Sequence, residues 1–181
     1  LMANLKQQAE RFGTEILLEE ATEVNFSSKP YIVQVRDRTF EGRSIIIATG
    51  GLEKWLGLKS EARLRGRGVA ICATCDAPLF KDKTTVVVGG GNAAIEEAIA
   101  LSKFAQKVIV IHRRDTLRAT KILQERAFEN YKIGFLWNTV IQEILGKERV
   151  EGVRLKNVKT KEESELKTDA VFIAIGHKPN T

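Results

Sequence analysis

Apolar and polar residues alternate along the chain in two distinct ways. Residues 4–12 place them at helical spacing, and Glu15 to Leu18 then reads as a short strand. Tyr31-Ile32-Val33-Gln34-Val35 predicts a strand, with Asp37-Arg38 as its turn. Ser44 to Ala48 is a continuous apolar run with isoleucines at its centre, the pattern of a strand buried on both faces, and Gly50-Gly51 ends it. These strands lack enough partners to close a core. Leu52 to Gly68 is rich in glycine and charge, with Trp55 as its apolar anchor, and reads as a connector.

From Val69 the rhythm changes to regular alternation of strand and helix. Strands are expected at Thr84 to Val88 and Lys107 to Ile111, with a helix from Asn92 to Lys103 between them. A helix at about 118–129 and a short strand near Phe135 follow. Val140 to Leu145, Val150 to Lys156 and Glu163 to Leu166 suggest an antiparallel excursion, and Val171 to Ile175 returns as a buried strand. Strand–helix–strand alternation with a glycine-rich first turn predicts a doubly wound α/β sheet.

Composition narrows the classes. The chain has 181 residues, 43% of them hydrophobic, as in an ordinary globular protein with one well-buried domain and part of a second. No apolar run approaches the roughly 20 residues that span a bilayer, and the start does not read as a signal peptide, so no membrane association is expected. The net charge of +6 raises the question of nucleic acid. Lysine and arginine alternate with glutamate through 143–167, as on a solvated surface, and interleaved aromatics are lacking, so nucleic-acid binding is not expected. Two cysteines are too few for a disulfide scaffold. With His112 and His177 they total four nominal zinc ligands, but the histidines lack finger spacing and His112 adjoins cationic arginines, so no metal is expected.

Two motifs carry chemistry. In Gly89-Gly90-Gly91-Asn92-Ala93-Ala94, Gly89 permits a tight turn out of the strand. Gly91 lets a pyrophosphate approach the backbone, and Ala94 is the third small residue that lets helix and sheet pack closely. The helix that follows offers free N–H groups and the positive end of its dipole. An NAD site usually carries an acid about 20 residues on; here His112-Arg113-Arg114 hold that place, with Arg118 one turn later. Guanidinium groups can clamp a 2′-phosphate, so NADPH is the expected nucleotide. The bland alternatives are a glycine turn without ligand and a basic surface paired with Asp115 and nearby glutamates.

Cys72-Ala73-Thr74-Cys75-Asp76 is the second motif. A two-residue gap suits a reversible disulfide, whose exchange needs a lowered thiol pKa, access and a resolving thiol. Two buried structural thiols are the alternative. Asp76 followed by Pro78 resembles a helix entry, with Asp76 a candidate N-cap. Thr49-Gly50 and Gly176-His177 end strands, and His177 reads as structural.

With Ile46-Ile47-Ala48-Thr49-Gly50, Gly66-Arg67-Gly68-Val69, His112-Arg113-Arg114-Asp115 with Arg118-Ala119, and Ala174-Ile175-Gly176-His177-Lys178-Pro179-Asn180-Thr181, these motifs stand in the order of a known family. Along almost its whole length the chain resembles the low-molecular-weight thioredoxin reductases, a family of pyridine-nucleotide disulfide flavoproteins. Ala77 departs from the pattern, where the family more often has glycine. The resemblance implies a Rossmann-like NADPH-binding domain at 69–175 with a small antiparallel excursion. It also implies a partial FAD domain at 1–50, a connector at 51–68 and the start of a return to the FAD domain at 176–181.

The resemblance further implies that electrons pass from NADPH to FAD, to the Cys72–Cys75 disulfide and on to thioredoxin. Cys75 would lie against the flavin, Asp76 would exchange a proton, Thr49-Gly50 would border the flavin, and Arg113, Arg114 and Arg118 would bind the 2′-phosphate. A homodimer is expected for the full-length protein, in the cytoplasm. The family's opening glycine-rich FAD turn and closing Gly-Asp segment are not found in these residues. The expectation is therefore an internal piece that is inactive alone. Alternatives are a flavoprotein reductase of a peroxiredoxin or other dithiol carrier, and a catalytically incomplete NADPH-binding module.

Overall fold

A computed structural model of the chain describes residues 1–180. They fall into two compact units, Leu1–Ala48 and a second beginning at Thr49. In the first, helix α1 (Met2–Arg11) carries an exposed Lys6–Glu10 pair at 3.7 Å, one turn apart. An antiparallel sheet follows, built from β1 (Glu23–Asn25), β2 (Tyr31–Val35) and β3 (Arg38–Gly42) in that order. The β2–β3 turn falls on Arg36-Asp37, one residue earlier than Asp37-Arg38, because Val35 pairs with Arg38 and Arg36 takes φ 51°. A positive φ at the first turn residue suits the twist of a two-residue hairpin.

Two expected strands of this unit do not form. Glu15 to Leu18 is irregular, and β1, which the sequence pattern does not announce, takes the edge of β2 instead. Ser44 to Ala48 is also irregular, with Ile46 93% exposed. Side-chain pattern alone cannot hold a strand whose N–H and C=O groups have no neighbouring ladder. Val35 is the one buried residue of the first unit.

The second unit begins with β4 (Gly51–Glu53), α2 (Lys59–Leu64), β5 (Val69–Ala70) and α3 (Ala73–Asp76), which runs into a 3-10 turn at Ala77–Phe80. Next come β6 (Thr84–Val88), α4 (Asn92–Ser102), β7 (Lys107–Ile111), α5 (Lys121–Phe128) and β8 (Ile133–Leu136). The antiparallel excursion is β9 (Thr139–Leu145), β10 (Gly152–Asn157) and β11 (Glu163–Lys167); β12 (Ala170–Ile173) and β13 (His177–Pro179) close the chain. Thr181 lies outside the described residues, so the last residue of the expected return at 176–181 has no structural account.

Five strands form a parallel sheet in the order β5-β12-β6-β7-β8. The order reverses at β6, with β7 and β8 to one side and β12 and β5 to the other. The alternation within each strand explains the continuous apolar runs. Val87, Val108, Val110 and Phe172 face Ala94, Ile95, Ala98 and Leu101 of α4. Val86, Val88, Ile109, Ile111, Val171 and Ile173 face Leu64 of α2 and Ile141, Ile144, Val153 and Leu155 of the β11-β10-β9 sheet. Helices, parallel sheet and antiparallel sheet thus make three layers, with both faces of the central strands covered.

The stretch at 51–68, expected as a connector, is packed into this unit. β4 pairs antiparallel with β13, His177 opposite Glu53. The buried carboxylate of Glu61 accepts the N–H groups of Leu56 and Gly57 at 2.8 and 2.9 Å, and Arg65 stacks 3.7 Å over the Trp55 ring. The helix expected at 118–129 starts only at Lys121, because residues 118–120 bond to the glycine-rich turn instead.

Candidate functional site

The glycine turn leaves β6 at the point where the strand order reverses, the place where open α/β sheets bind ligands. Each glycine there has a different reason. Gly89 takes φ +150°, and a Cβ on it would run into the Ala174 carbonyl oxygen and come within 2.7 Å of the Ala94 methyl. A Cβ on Gly90 would strike the His112 ring. On Gly91 a Cβ would meet nothing within 4 Å, and its φ of −92° is one that any residue adopts. Nothing in the chain itself therefore demands glycine at 91. The space it leaves open lies at the N-terminus of α4, where a pyrophosphate would fit.

Backbone bonds bring the arginine-bearing loop to this turn. Arg118 and Ala119 donate N–H to the Gly90 carbonyl at 2.7 and 3.1 Å, and Thr120 donates N–H to the Asn92 side chain at 2.8 Å. Asn92 thus fastens the loop through its side-chain oxygen, while Ala93 is exposed in the first turn of α4 and Ala94 is buried beneath it.

His112 is 7% exposed and lies under Gly90, with its ring edge-on to Trp137 at 6.4 Å. Burial, with Arg114 and Arg113 nearby, lowers its pKa below the usual imidazole value, against opposing hydrogen bonds with the Thr116 and Gly89 backbone. The ring is therefore neutral at pH 7 and serves as a floor to the turn, with Nε2 unpartnered among the described residues. Arg113, Arg114 and Arg118 are exposed, and none forms an ion pair among the described residues. Asp115 does not pair with them. It accepts from Lys159 at 2.6 Å, which holds its carboxyl below the usual carboxylate range.

Cys72 and Cys75 are joined as a disulfide, their Cα atoms 5.3 Å apart. Asp76 stands at the N-cap position of the 3-10 turn with Pro78 at its start, as expected, and α3 adds one turn before it: Cys72 occupies the N-cap position of α3, half-buried, and Cys75 is exposed. Asp76 makes no side-chain cap, and only its N–H bonds back to the Cys72 carbonyl at 3.2 Å. Ala77 is buried with an ordinary helical φ of −52°, so the departure from glycine is accommodated without strain. Ala73 and Ala77 share a core with Ala94 and Ala98, so the disulfide helix packs on the same α4 that follows the glycine turn.

Thr49 and Gly50 lie apart from these elements in sequence and are exposed. Gly50 takes φ +71°, and the carbonyls of Thr49 and Gly50 accept from the Asn180 side chain and N–H, each at 3.2 Å. His177 is exposed in β13, far in sequence from any nucleophile. Two elements of the site escape sequence reasoning. The middle glycine, Gly90, owes its identity to a histidine 22 residues later, and Lys159 reaches Asp115 from the excursion; only the triple-glycine run hinted at the first.

Fold and site together define the class: a doubly wound α/β unit of the nucleotide-binding type carrying a surface disulfide. The chain belongs to the pyridine nucleotide-disulphide oxidoreductase family, whose model matches residues 3–181. It is 49% identical to a thioredoxin reductase of Rickettsia conorii and 45% identical to one of Streptomyces coelicolor, in both cases over 100% of this chain. It spans only 60% and 56% of the lengths of those relatives. Among solved structures it is similar to a thioredoxin reductase from Giardia duodenalis, with a TM-score of 0.83 and 35% identity over 99% of this chain and 59% of that one. It is also similar to the Lactococcus lactis thioredoxin reductase in its FR conformation, with a TM-score of 0.77 and 38% identity over 97% of this chain and 58% of that one.

Proposed function

We propose that this chain is the nucleotide-binding and disulfide-bearing portion of an NADPH-dependent thioredoxin-disulfide reductase. The observation that carries the reading is the Cys72–Cys75 disulfide on a helix packed against α4, the helix that follows the glycine turn. The residues present fit NADPH: Gly91 and the first turn of α4 receive the pyrophosphate, and Arg113, Arg114 and Arg118 clamp the 2′-phosphate. Gly89, Asn92, Ala93, Ala94 and His112 shape the turn. When bound, NADPH supplies a hydride and FAD relays its two electrons to the disulfide. Thr49 and Gly50 suit the edge of a flavin site but make no cradle for one, so flavin chemistry by these residues alone is not part of the reading.

The chain's own chemistry is thiol–disulfide exchange. In the reduced pair, one thiolate attacks the thioredoxin disulfide and forms a mixed disulfide, releasing one thioredoxin thiolate. The second cysteine then attacks the mixed disulfide, re-forms Cys72–Cys75 and releases reduced thioredoxin. Asp76, next to Cys75, moves the proton that accompanies the thiolate. A disulfide that cycles in this way suits a reducing compartment, and the cytoplasm is the setting we assign.

The test runs the exchange backwards. The oxidised chain is mixed with dithiol thioredoxin, whose potential is about −270 mV, and free thiols are counted after acid quenching. Two thiols should appear on this chain for each thioredoxin oxidised. In a companion arm, Cys72→Ser or Cys75→Ser is mixed instead with thioredoxin in its disulfide form, and the remaining thiolate should open that bond and form the mixed disulfide. A disulfide that stays intact in excess reduced thioredoxin would overturn the proposal.

A further inference from the structure

The arginine loop holds one carboxylate, Asp115, and in the sequence it directly follows two of the arginines. An acid in that place is the ready partner for a guanidinium. Paired so, it would compete with any phosphate. The structure instead turns Asp115 toward Lys159, 44 positions later, at 2.6 Å.

Lys159 is held where it can do this by the β10–β11 hairpin. The Asn157 side chain accepts the N–H groups of Lys159 and Thr160 at 2.9 and 3.0 Å, fixing the tip. The tip docks through Val158, whose N–H donates to the Asn138 carbonyl. Asn138, at φ 52°, donates its own N–H to the Arg114 carbonyl at 3.1 Å. A short chain of main-chain bonds thus joins the excursion to the arginine loop, and the Lys159 ammonium meets Asp115 beside it. Both groups are about 60% exposed, so the pair adds little to stability; its effect falls on the charge of the loop.

We infer that Lys159 is a specificity-determining residue for the nucleotide: by engaging Asp115 it removes the loop's single carboxylate from Arg113, Arg114 and Arg118 and leaves them free for a ribose phosphomonoester. The inference rests on the NADPH reading of the same site. It also gives the antiparallel excursion, which holds no other candidate nucleotide contact, a part in selectivity. Lys159 acts through Asp115, so it is a positioning residue and not a ligand.

The experiment titrates the full chain with 2′,5′-ADP and with 5′-AMP, which differ only in the 2′-phosphate, by calorimetry at low and at moderate salt. Wild type should prefer 2′,5′-ADP. Lys159→Ala, which keeps the main-chain bonds of the hairpin, should weaken 2′,5′-ADP about three- to tenfold, less at higher salt, and leave 5′-AMP unchanged. Adding Asp115→Asn to Lys159→Ala should restore the lost affinity. Lys159→Ala binding 2′,5′-ADP like wild type, losing affinity for both nucleotides alike, or staying weak when Asp115 is also neutralised would each overturn the inference. Wild type without preference between the two ligands would overturn the NADPH reading beneath it.

Discussion

Ser44-Ile45-Ile46-Ile47-Ala48 and Thr84-Thr85-Val86-Val87-Val88 have nearly the same pattern, yet one is irregular and exposed and the other is a central strand. Ile46 and Ile47 are 93% and 57% exposed, whereas Val86 and Val87 are fully buried. The difference lies in the neighbours. Thr84–Val88 pairs with β7 on one side and β12 on the other, and each face meets a complete apolar layer. Ser44–Ala48 finds no ladder among the described residues. An apolar run permits a strand, and pairing partners decide it. The same contrast separates the two units: the first buries Val35 alone, the second two continuous cores.

The largest expected difference between the units is in local opening. Segments without buried contacts open at a cost near zero, whereas core strands open only with the whole domain, at about 5–15 kcal/mol. Limited trypsin digestion followed by mass spectrometry should therefore cut within 1–48 orders of magnitude faster than within 84–130. Equal rates in the two segments would break the comparison. Single substitutions should show it next. Phe172→Ala removes a fully buried ring that meets Phe80 edge-on at 5.6 Å, and urea unfolding should show a loss of about 3–5 kcal/mol. Ile46→Ala removes an exposed side chain and should stay within about 0.5 kcal/mol of wild type.

The second unit was legible in the sequence because its local signals and its tertiary context agree. Strands at Thr84–Val88 and Lys107–Ile111 lie where the pattern placed them, the helix after the glycines ends one residue short of Lys103, and the antiparallel excursion has its three strands. Glu15 to Leu18 and Ser44 to Ala48 misled because a strand is a property of a pair, and a single segment states only half of it. In the site, the glycine turn, the arginine cluster and the cysteine pair are all contiguous in sequence, so spacing revealed them. The packing of His112 under Gly90 and the pairing of Lys159 with Asp115 join distant positions, and no local pattern encodes either. Asp76 shows the limit of local chemistry: its type suits an N-cap, but its side chain caps no helix.

Burial in the second unit extends to a charge, which offers the finest test of the contrast. Glu97 lies on α4 between the buried Ala94 and Ala98, and one of its carboxylate oxygens, Oε2, is buried without a partner among the described residues. Loss of solvation raises its pKa from the ordinary 4.5 to about 7. The folded state therefore holds this proton more tightly than the unfolded chain. Its contribution to stability is complete below about 4.5 and is lost as pH rises through about 7. His112, whose pKa is lowered, acts in the opposite sense as pH falls, so the total stability profile mixes the two groups. The difference between wild type and Glu97→Gln isolates the carboxylate. The two proteins should unfold at nearly the same urea concentration at pH 4. At pH 8 the glutamine variant should be more stable by on the order of 2 kcal/mol, since it keeps the shape and never carries the charge. A pH-independent difference would mean that Glu97 stays solvated, and that the helix layer above β6 is open to water where its apolar neighbours indicate that it is closed.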